Sequence, residues 1–432
     1  MKNNLQLAKG VRDFTPEEKI LRNQVIDKLR YFFELYGYNP IETPVIERYD
    51  LFASKFGAGE QSDAMRETFK FKDQGLRDLV LRTEFTVPFA RFISLNPQLR
   101  KPFKRYQMGP VFRDGPIKLG RYREFWQCDC DVVGVNDVIV DAELIDLAQD
   151  IFAGLDLEVE IRINNRKLLN KFLEIAYISE DKQSETIIII DKLDKIGKDG
   201  VTKELLEAGL QKSQIDSVLE MISIQGTNEE IVRELKKKIG DVEGLVEIEK
   251  TLNALYKDNN VVFLPSLARG LAYYTGNVFE VFLKDTSKLS SAVSGGGRYD
   301  DMIGGFLSSN EKIPAIGISF GLDTICEALK LSKKVETKKS AVELYIIAIG
   351  ENNKNQGYKI MQELREKKIN CDFDFIGKKV GKAMDYANSS DIPWVLLIGD
   401  DEIASEKYTL KNMETGDQHQ STIDDIYKLI KE

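Results

Sequence analysis

The segment from Phe112 to Phe125 places arginines and an aromatic residue where they could bind a nucleotide. Arg113 follows a predicted strand, a loop rich in glycine, proline and lysine comes next, and Arg121 opens a second strand. Arginine binds phosphate and carboxylate groups through paired hydrogen bonds, and an aromatic ring can stack on a base. This hairpin therefore predicts a phosphate site, and the plain alternative is a solvated basic hairpin.

Polar residues further along could complete such a site. Gln127, Asp129 and Asp131 alternate along the strand after the hairpin, so one face of that strand is polar. A predicted turn then carries one arginine and two adjacent tyrosines, namely Arg269, Tyr273 and Tyr274. The run Gly295–Gly297 permits close approach of the backbone, although such a run taken alone usually marks a turn.

The histidine and cysteine content excludes several mechanisms. The only histidine, His419, lies in a predicted loop, so we expect no Ser-His or Cys-His nucleophile. The four cysteines are too few and too scattered for a disulfide framework. Cys128 and Cys130 would need further ligands to bind a metal ion, so we expect no structural metal site.

The composition is that of an ordinary soluble globular protein. The 432 residues are 42% hydrophobic and 30% charged, and the net charge is −9. The acidic balance argues against non-specific coating of DNA. Apolar runs fall well short of the roughly 18 residues of a membrane span, and residues 1–9 contain no apolar signal region. We therefore expect a cytoplasmic protein without a membrane partner.

The elements that must position these residues form two or three domains. Short strands and amphipathic helices over residues 1–332 predict an antiparallel α+β domain. Within it, residues 166–258 predict a mostly helical insertion, which is either a surface bundle or a clamp on a large substrate. A charged linker at 333–340 leads to 341–432, whose β-α-β-α order predicts a three-layer α/β domain.

Together, these segments resemble the histidyl-tRNA synthetases, a family of class II aminoacyl-tRNA synthetases, over nearly the whole chain. Phe112–Val133 resembles motif 2 of that class, and Ala315–Thr324 stands in the place of motif 3. Pro40–Glu47 resembles motif 1, with Pro44 as its dimer-interface proline. Residues 341–432 resemble the family's anticodon-binding domain. Further similar segments are Lys9–Phe14, Leu81–Arg91, Arg269–Tyr274 and Gly296–Asp300.

The resemblance implies a reaction and a role for each site residue. The reaction is ATP-dependent activation of L-histidine to histidyl-adenylate, followed by transfer to tRNA(His), and the enzyme would be a homodimer. Arg113 and Arg269 would be catalytic, because fixed guanidinium groups and Mg²⁺ stabilise the charge that develops at the α-phosphate. ATP would also meet Arg121 at its phosphates and Phe125 at its adenine. Histidine would be held by Glu84, Thr86 and Gln127 at its α-amino group and by Asp131 and Tyr274 at its ring, with Tyr273 in the same site.

Three positions depart from the family pattern. Thr324 replaces the motif 3 arginine that contacts ATP, and Asp323 beside it adds a negative charge. Ala272 replaces an aspartate of the histidine signature, and Gly115 replaces a motif 2 glutamate. We expect an active ligase, while a non-catalytic paralogue that senses or binds histidine or tRNA stays open. A regulatory subunit of ATP phosphoribosyltransferase is disfavoured, because that protein typically lacks the C-terminal domain.

Overall fold

The computed structural model describes residues 5–53, 66–257, 260–270, 273–287, 289–307, 312–332 and 338–431. Contacts within the chain divide it into two compact units. The first unit comprises residues 1–12 and 25–335, and the second comprises residues 13–24 and 336–432. In the described part of the chain, no helix combines the length and apolar character needed to cross a membrane.

The elements before the insertion include two of the strands that carry the candidate site. They are α1 Pro16–Leu35, β1 Asn39–Pro40, β2 Ile46–Arg48, α2 Tyr49–Ala53, β3 Lys70–Lys72, β4 Asp78–Leu81, α3 Thr86–Leu95, β5 Phe103–Phe112, β6 Glu124–Val133, α4 Ile139–Gly154 and β7 Val159–Asn165.

The predicted insertion is helical from its first residue. Its helices are α5 Arg166–Ile175, α6 Glu180–Ile190, α7 Leu193–Glu207, α8 Lys212–Ile222, α9 Asn228–Ile239 and α10 Glu243–Ala254. Local sequence sets their ends: Thr227 and Glu230 form a capping box at the start of α9. Gly240 follows that helix with a φ of 75°, a conformation that glycine adopts readily.

The chain then returns to the first unit with β8 Val261–Phe263, β9 Asn277–Leu283, β10 Ser294–Arg298, α11 Asp300–Phe306, β11 Ala315–Gly321 and α12 Leu322–Ser332. An eight-stranded sheet has the order β1-β5-β6-β11-β10-β9-β7-β8. It is antiparallel except for the β1–β5 and β7–β8 pairs. A separate three-stranded sheet has the order β2-β4-β3. The predicted antiparallel α+β fold is confirmed.

The two faces of the large sheet differ in chemistry because successive side chains of a strand point to opposite sides. On one face Phe320 packs against Phe33 of α1 and Phe152 of α4, with ring centroids 5.7 and 5.9 Å apart. Cys128, the cross-strand partner of Phe320, is fully buried there. The opposite face carries the alternating polar residues of β6, so the candidate site has a rigid apolar layer beneath it.

The second unit has the three-layer architecture that the sequence predicts. Its elements are β12 Leu344–Ala348, a 3₁₀ turn Glu351–Asn353, α13 Lys354–Glu366, β13 Cys371–Phe373, α14 Val380–Ser389, β14 Trp394–Ile398, α15 Asp400–Ser405, β15 Tyr408–Asn412, β16 Gln418–Ser421 and α16 Ile423–Lys431. The sheet order is β13-β12-β14-β15-β16. Leu364 of α13 and Ile426 of α16 belong to one core cluster, and Ala383 and Ala387 of α14 belong to another.

Candidate active site

Glycines form the floor of the site on the polar face of the sheet. The run Gly295–Gly297 lies within strand β10 and not in a turn, and side chains approach its backbone closely. A Cβ atom at Gly297 would lie 2.9 Å from the Tyr274 ring, and one at Gly295 would overlap the Arg269 guanidinium. A Cβ at Gly317 of β11 would likewise overlap the Asp131 carboxylate. Only glycine leaves room for these side chains to lie flat on the sheet.

Glu84 links the pocket to the start of α3. Its two carboxylate oxygens accept hydrogen bonds from the backbone N–H groups of Thr86 and Val87, at 2.7 and 2.8 Å. These are two of the N–H groups that a helix leaves without intrahelical partners. Glu84 is buried, and burial raises the pKa of its carboxyl, which the two N–H donors oppose. Each oxygen keeps a lone pair for a further donor, such as an ammonium group.

Arg113 stands at the end of β5 with its guanidinium in the same pocket. Its Nε donates to the Thr83 carbonyl oxygen at 3.0 Å, and its Cζ lies 5.2 Å from the Phe125 ring centroid. Burial lowers the pKa of Arg113, while the negative charge of Glu84 opposes that change. An anionic ligand would therefore gain more from this buried cation than from an arginine in water.

Arg269 and the two tyrosines lie together over the glycines of β10. The Arg269 guanidinium donates to the Phe279 carbonyl oxygen at 3.3 Å and lies 5.3 Å from the Tyr274 ring. The Tyr273 and Tyr274 rings are 4.8 Å apart. Burial raises the pKa of the Tyr273 hydroxyl, and the charge of Glu84 raises it further while Arg269 opposes. Both tyrosines therefore stay neutral hydrogen-bonding groups at physiological pH.

Asp131 is held by two residues that sequence reasoning missed. Its cross-strand partner Arg105 is fully buried, with Nη2 2.6 Å from the Asp131 Oδ2. The Tyr299 hydroxyl donates to the other oxygen at 2.5 Å. The alternation of Arg105 and Gln107 along β5 signals a polar face on that strand. It does not identify Arg105 as the partner of Asp131, because that requires the pairing of β5 with β6.

Two acceptors in this polar column, besides the ion-paired Asp131 Oδ2, have no hydrogen-bond donor in the described part of the chain. Gln127 Oε1 and Asp129 Oδ1 are buried, and neither has a hydrogen-bond partner among the described residues. Buried polar atoms are normally satisfied, so unpaired acceptors facing a pocket indicate a ligand or water with N–H or O–H groups. Burial raises the pKa of Asp129 to about 8, with Arg105 opposing and Asp131 reinforcing the shift.

The motif 2 hairpin is tied to the beginning of the chain. Arg121 is about half exposed, at 47%, and its Nη2 lies 3.6 Å from the Glu67 carboxylate. The next basic residue, Arg123, pairs with Asp114 at 2.6 Å and donates its backbone N–H to the Gly10 carbonyl oxygen at 2.9 Å. Arg121 thus keeps the exposure that a phosphate ligand requires.

The motif 3 departure has a structural counterpart. Asp323 is 2% exposed, forms a short ion pair with Arg12, and accepts the Trp126 backbone N–H at 2.8 Å. The Arg12 guanidinium lies 3.5 Å from the Tyr122 ring centroid. Thr324 donates its hydroxyl to the Gly120 carbonyl oxygen at 3.2 Å. Arg12 therefore compensates the negative charge that Asp323 adds near the expected ATP site. Ala272 lies outside the described residues.

The predicted site residues converge on this one face of the sheet. Burial lowers the pKa of Arg113, Glu84 opposes that change and Arg121 reinforces it, as expected of charged groups near one another. Thr86 follows Glu84, and Phe125 lies beside Arg113. Tyr299 joins the two ends of the pocket, because it bonds Asp131 and packs edge-on to Tyr273 at 6.4 Å. Among the described residues, no group of three or more His, Cys, Asp and Glu side chains could hold a metal ion.

Comparisons with known proteins agree with this architecture. The family model described as histidyl-tRNA synthetase matches residues 10–325, and the anticodon binding domain model matches residues 343–432. The first unit has the catalytic fold of a class II aminoacyl-tRNA synthetase. Histidine--tRNA ligase 1 from Bacillus thuringiensis subsp. konkukian is 43% identical over 419 residues, which are 95% of this chain and 96% of that protein. The chain belongs to the histidyl-tRNA synthetase family.

Solved structures lead to the same family. Histidyl-tRNA synthetase from Nostoc sp. PCC 7120 has a TM-score of 0.86 and 30% identity, covering 100% of this chain and 99% of its own. An ATP phosphoribosyltransferase regulatory subunit/histidyl-tRNA synthetase from Bacillus halodurans C has a TM-score of 0.75 and 22% identity, over 92% and 99% of the two chains. That second likeness concerns the fold alone. The comparisons support the ligase and give no support to the non-catalytic paralogue.

Proposed function

We propose that this chain activates L-histidine with ATP and transfers the histidyl group to tRNA(His). The observation that carries the proposal is the pocket in which Arg113, Arg269 and Glu84 meet beside the unpaired acceptor of Gln127. Such a pocket offers cations for a carboxylate and a phosphate, and acceptors for an ammonium group. A free amino acid and an adenylate carry this combination of groups.

Histidine would lie along the polar face of β6. Its ammonium group would donate to Glu84 and to Gln127 Oε1, with Thr86 beside them, and its ring would reach Asp131 and the tyrosines. Because Arg105 and Tyr299 already hold the Asp131 carboxylate, this acceptor is fixed before the ring arrives. A ring that lacks the matching N–H group would leave buried polar atoms unpaired, which costs affinity and gives selectivity.

The first chemical step would be attack of the histidine carboxylate on the α-phosphorus of ATP, with pyrophosphate as the leaving group. Arg113 would contact both reacting groups, and Arg269 would supply a second cation to the α-phosphate. Fixed cations in a water-poor pocket stabilise the charge of the transition state without reorganisation. ATP would stack its adenine on Phe125, extend its phosphates towards Arg121, and bring Mg²⁺ as part of the Mg-ATP substrate. No protein nucleophile is required.

Transfer to tRNA would use both units. In the second unit Lys379 and Lys382 are exposed at the start of α14, and Phe375 beside them is 63% exposed. Lysines bind phosphates and exposed aromatic rings stack on unpaired bases, so this surface suits an RNA loop. The match of residues 343–432 to the anticodon binding domain model supports the same assignment.

Charging of a tRNA(His) transcript with labelled histidine tests the proposal. We expect ATP-dependent incorporation of label with L-histidine and none with tRNAs of other specificity. Histidine binding without any charging would contradict the proposal and favour the non-catalytic paralogue. The proposal also includes a cytoplasmic homodimer, with the partly exposed Val45 and Ile46 near Pro44 at the interface. Sedimentation equilibrium would give twice the chain mass if that part is correct, and a single chain mass if it is wrong.

A further inference from the structure

A carboxylate stands in the space that Gly115 leaves open. Gly115 is buried in the loop that follows β5. A Cβ atom at this position would lie 2.7 Å from both Cδ and Oε1 of Glu67, which is closer than real side chains approach. The glycine and the glutamate therefore fit together, and a side chain at position 115 would displace the carboxylate.

The backbone fixes Glu67 at this place. Its carbonyl oxygen accepts the backbone N–H of Asp114 at 2.7 Å. Glu67 comes just before β3, which pairs with β4, and the residue after β4, Arg82, accepts the N–H of Phe112 at 3.0 Å through its carbonyl oxygen. The start of the loop is thus bonded to Glu67 itself and to the residue that follows β4, the strand paired with β3. These bonds hold the Glu67 backbone beside the loop.

The Glu67 carboxylate lies beside Arg121, and its charge also acts weakly on Arg113. Its Oε2 lies 3.6 Å from Arg121 Nη2, and its side chain is 24% exposed. Burial and the positive charge of Arg121 both lower the pKa of Arg113, while Glu84, and more weakly Glu67, oppose that change. Two guanidinium groups directed into one pocket repel each other, and an anion beside them reduces that repulsion and restricts their orientations.

We propose that Glu67 is a positioning residue of the nucleotide site, which holds Arg121 and Arg113 in the arrangement that receives the ATP phosphates. Gly115 is the second half of the device, because it makes the space for this carboxylate. The inference rests on the proposed function, since it takes ATP as the ligand of these arginines. In motif 2 of the family a glutamate stands at the position of Gly115. In this chain Glu67, from a separate segment, would supply that carboxylate.

The sign of one substitution separates this role from simple electrostatics. Glu67→Gln keeps the shape of the side chain and removes its charge. If Glu67 were only a nearby anion, its removal would strengthen ATP binding, because ATP is itself anionic. If Glu67 positions the arginines, ATP should bind about tenfold more weakly, the scale of one charge-assisted hydrogen bond. The Kd for ATP by calorimetry and the KM for ATP in histidine-dependent pyrophosphate exchange should rise together, with the KM for histidine unchanged.

A reciprocal exchange of the two residues gives the decisive experiment. We expect Glu67→Ala and Gly115→Glu each to weaken ATP binding at least about tenfold. The double variant should return to within about threefold of wild type, because one carboxylate again occupies the space over the loop. Glu234→Gln, at an exposed glutamate of α9, is the matched control and should change nothing.

ATP affinity in Glu67→Gln equal to or tighter than wild type would overturn the proposal. A double variant that binds ATP no better than Glu67→Ala would also overturn it. The melting temperature of each variant distinguishes a folding defect from a loss of ATP binding. A wild-type chain that shows no pyrophosphate exchange would contradict the ligase proposal instead, and the calorimetric affinities would still test the role of Glu67.

Discussion

At the residue scale, the pocket depends on buried charges held against one another. Arg105 and Asp131 form a pair that is almost fully buried, which is costly unless each charge compensates the other. Asp129 shares the same cation, so only one of the two aspartates can be ionised without leaving an excess of negative charge. The raised pKa of Asp129 follows from burial, reinforced by this competition.

Asp129→Asn should therefore be more stable than wild type, by a margin that grows as the pH rises. The free carboxyl has a pKa of 3.8 and the folded one of about 8, so the folded state holds the extra proton between these values. Stability from this group is lost as the pH rises through that window. We expect the variant to melt about 4 °C or more above wild type at pH 8 and much closer to it at pH 5.

Melting curves at the two pH values, with the exposed Asp199→Asn as control, check this prediction. A variant that melts at the wild-type temperature at pH 8, or gains as much at pH 5, would contradict it.

Arg269 is the residue whose removal should cost the most catalysis. Its guanidinium lies over Gly295 and donates to the carbonyl oxygens of Phe279 and Gly296. Its nearest ion-pair partner, Glu280, is 3.6 Å away, so removal of Arg269 leaves no hydrogen-bonded carboxylate unpaired among the described residues. Arg269→Ala should lower histidine-dependent pyrophosphate exchange at least about 100-fold, the scale of one preorganised transition-state cation. Calorimetry should find little change in histidine affinity.

The exposed Arg233→Ala on α9 provides the control for this substitution. Exchange at the wild-type rate in Arg269→Ala would remove Arg269 from the mechanism.

At the element scale, the segment before α1 connects the motif 2 hairpin to α12. Arg12 pairs with Asp323 at the start of α12 and lies over Tyr122 of the hairpin. Arg12→Ala would leave the buried Asp323 carboxylate without the cation that pairs with it, so we expect a loss of about 3 kcal/mol in the free energy of unfolding. Denaturant unfolding of the first unit measures this loss.

The double variant Arg12→Ala with Asp323→Ala should recover much of that stability, because no unpaired charge is then buried. Strict additivity of the two single losses would show that the ion pair is not the cause.

The loop and helix start at residues 375–382 belong to the same scale. Replacement of Lys378, Lys379 and Lys382 by alanine should weaken tRNA binding and reduce the slope of log affinity against log salt. Exchange without tRNA should stay unchanged. Lys378 also lies 4.9 Å from the Tyr386 ring, so Lys379→Ala with Lys382→Ala separates charge loss from packing loss. Equal tRNA affinity across salt concentrations would leave these lysines as solvated surface.

At the scale of the whole molecule, local pattern was enough for most elements but not for contacts between distant segments. Strands β5 and β6 and helices α3 and α14 follow from the sequence alone, because hydrophobic period and turn residues mark them locally. The glycine run of β10 could not be assigned to a strand from local pattern, because the side chains that require glycine there, Tyr274 and Arg269, come from a distant part of the sequence. Glu67 and Arg12 were missed for the same reason, since each acts on residues far away in sequence. The roles of the site residues remain predictions.

The measurement that tests the central claim most directly is histidine-dependent exchange of labelled pyrophosphate into ATP by the wild-type chain. The account predicts exchange at saturating Mg-ATP with L-histidine and none above background with other amino acids, because the pocket keeps Arg113, Arg269, Glu84, Gln127 and Asp131 together. Calorimetry without ATP would establish histidine binding separately. Histidine binding with no exchange at saturating Mg-ATP would contradict the account.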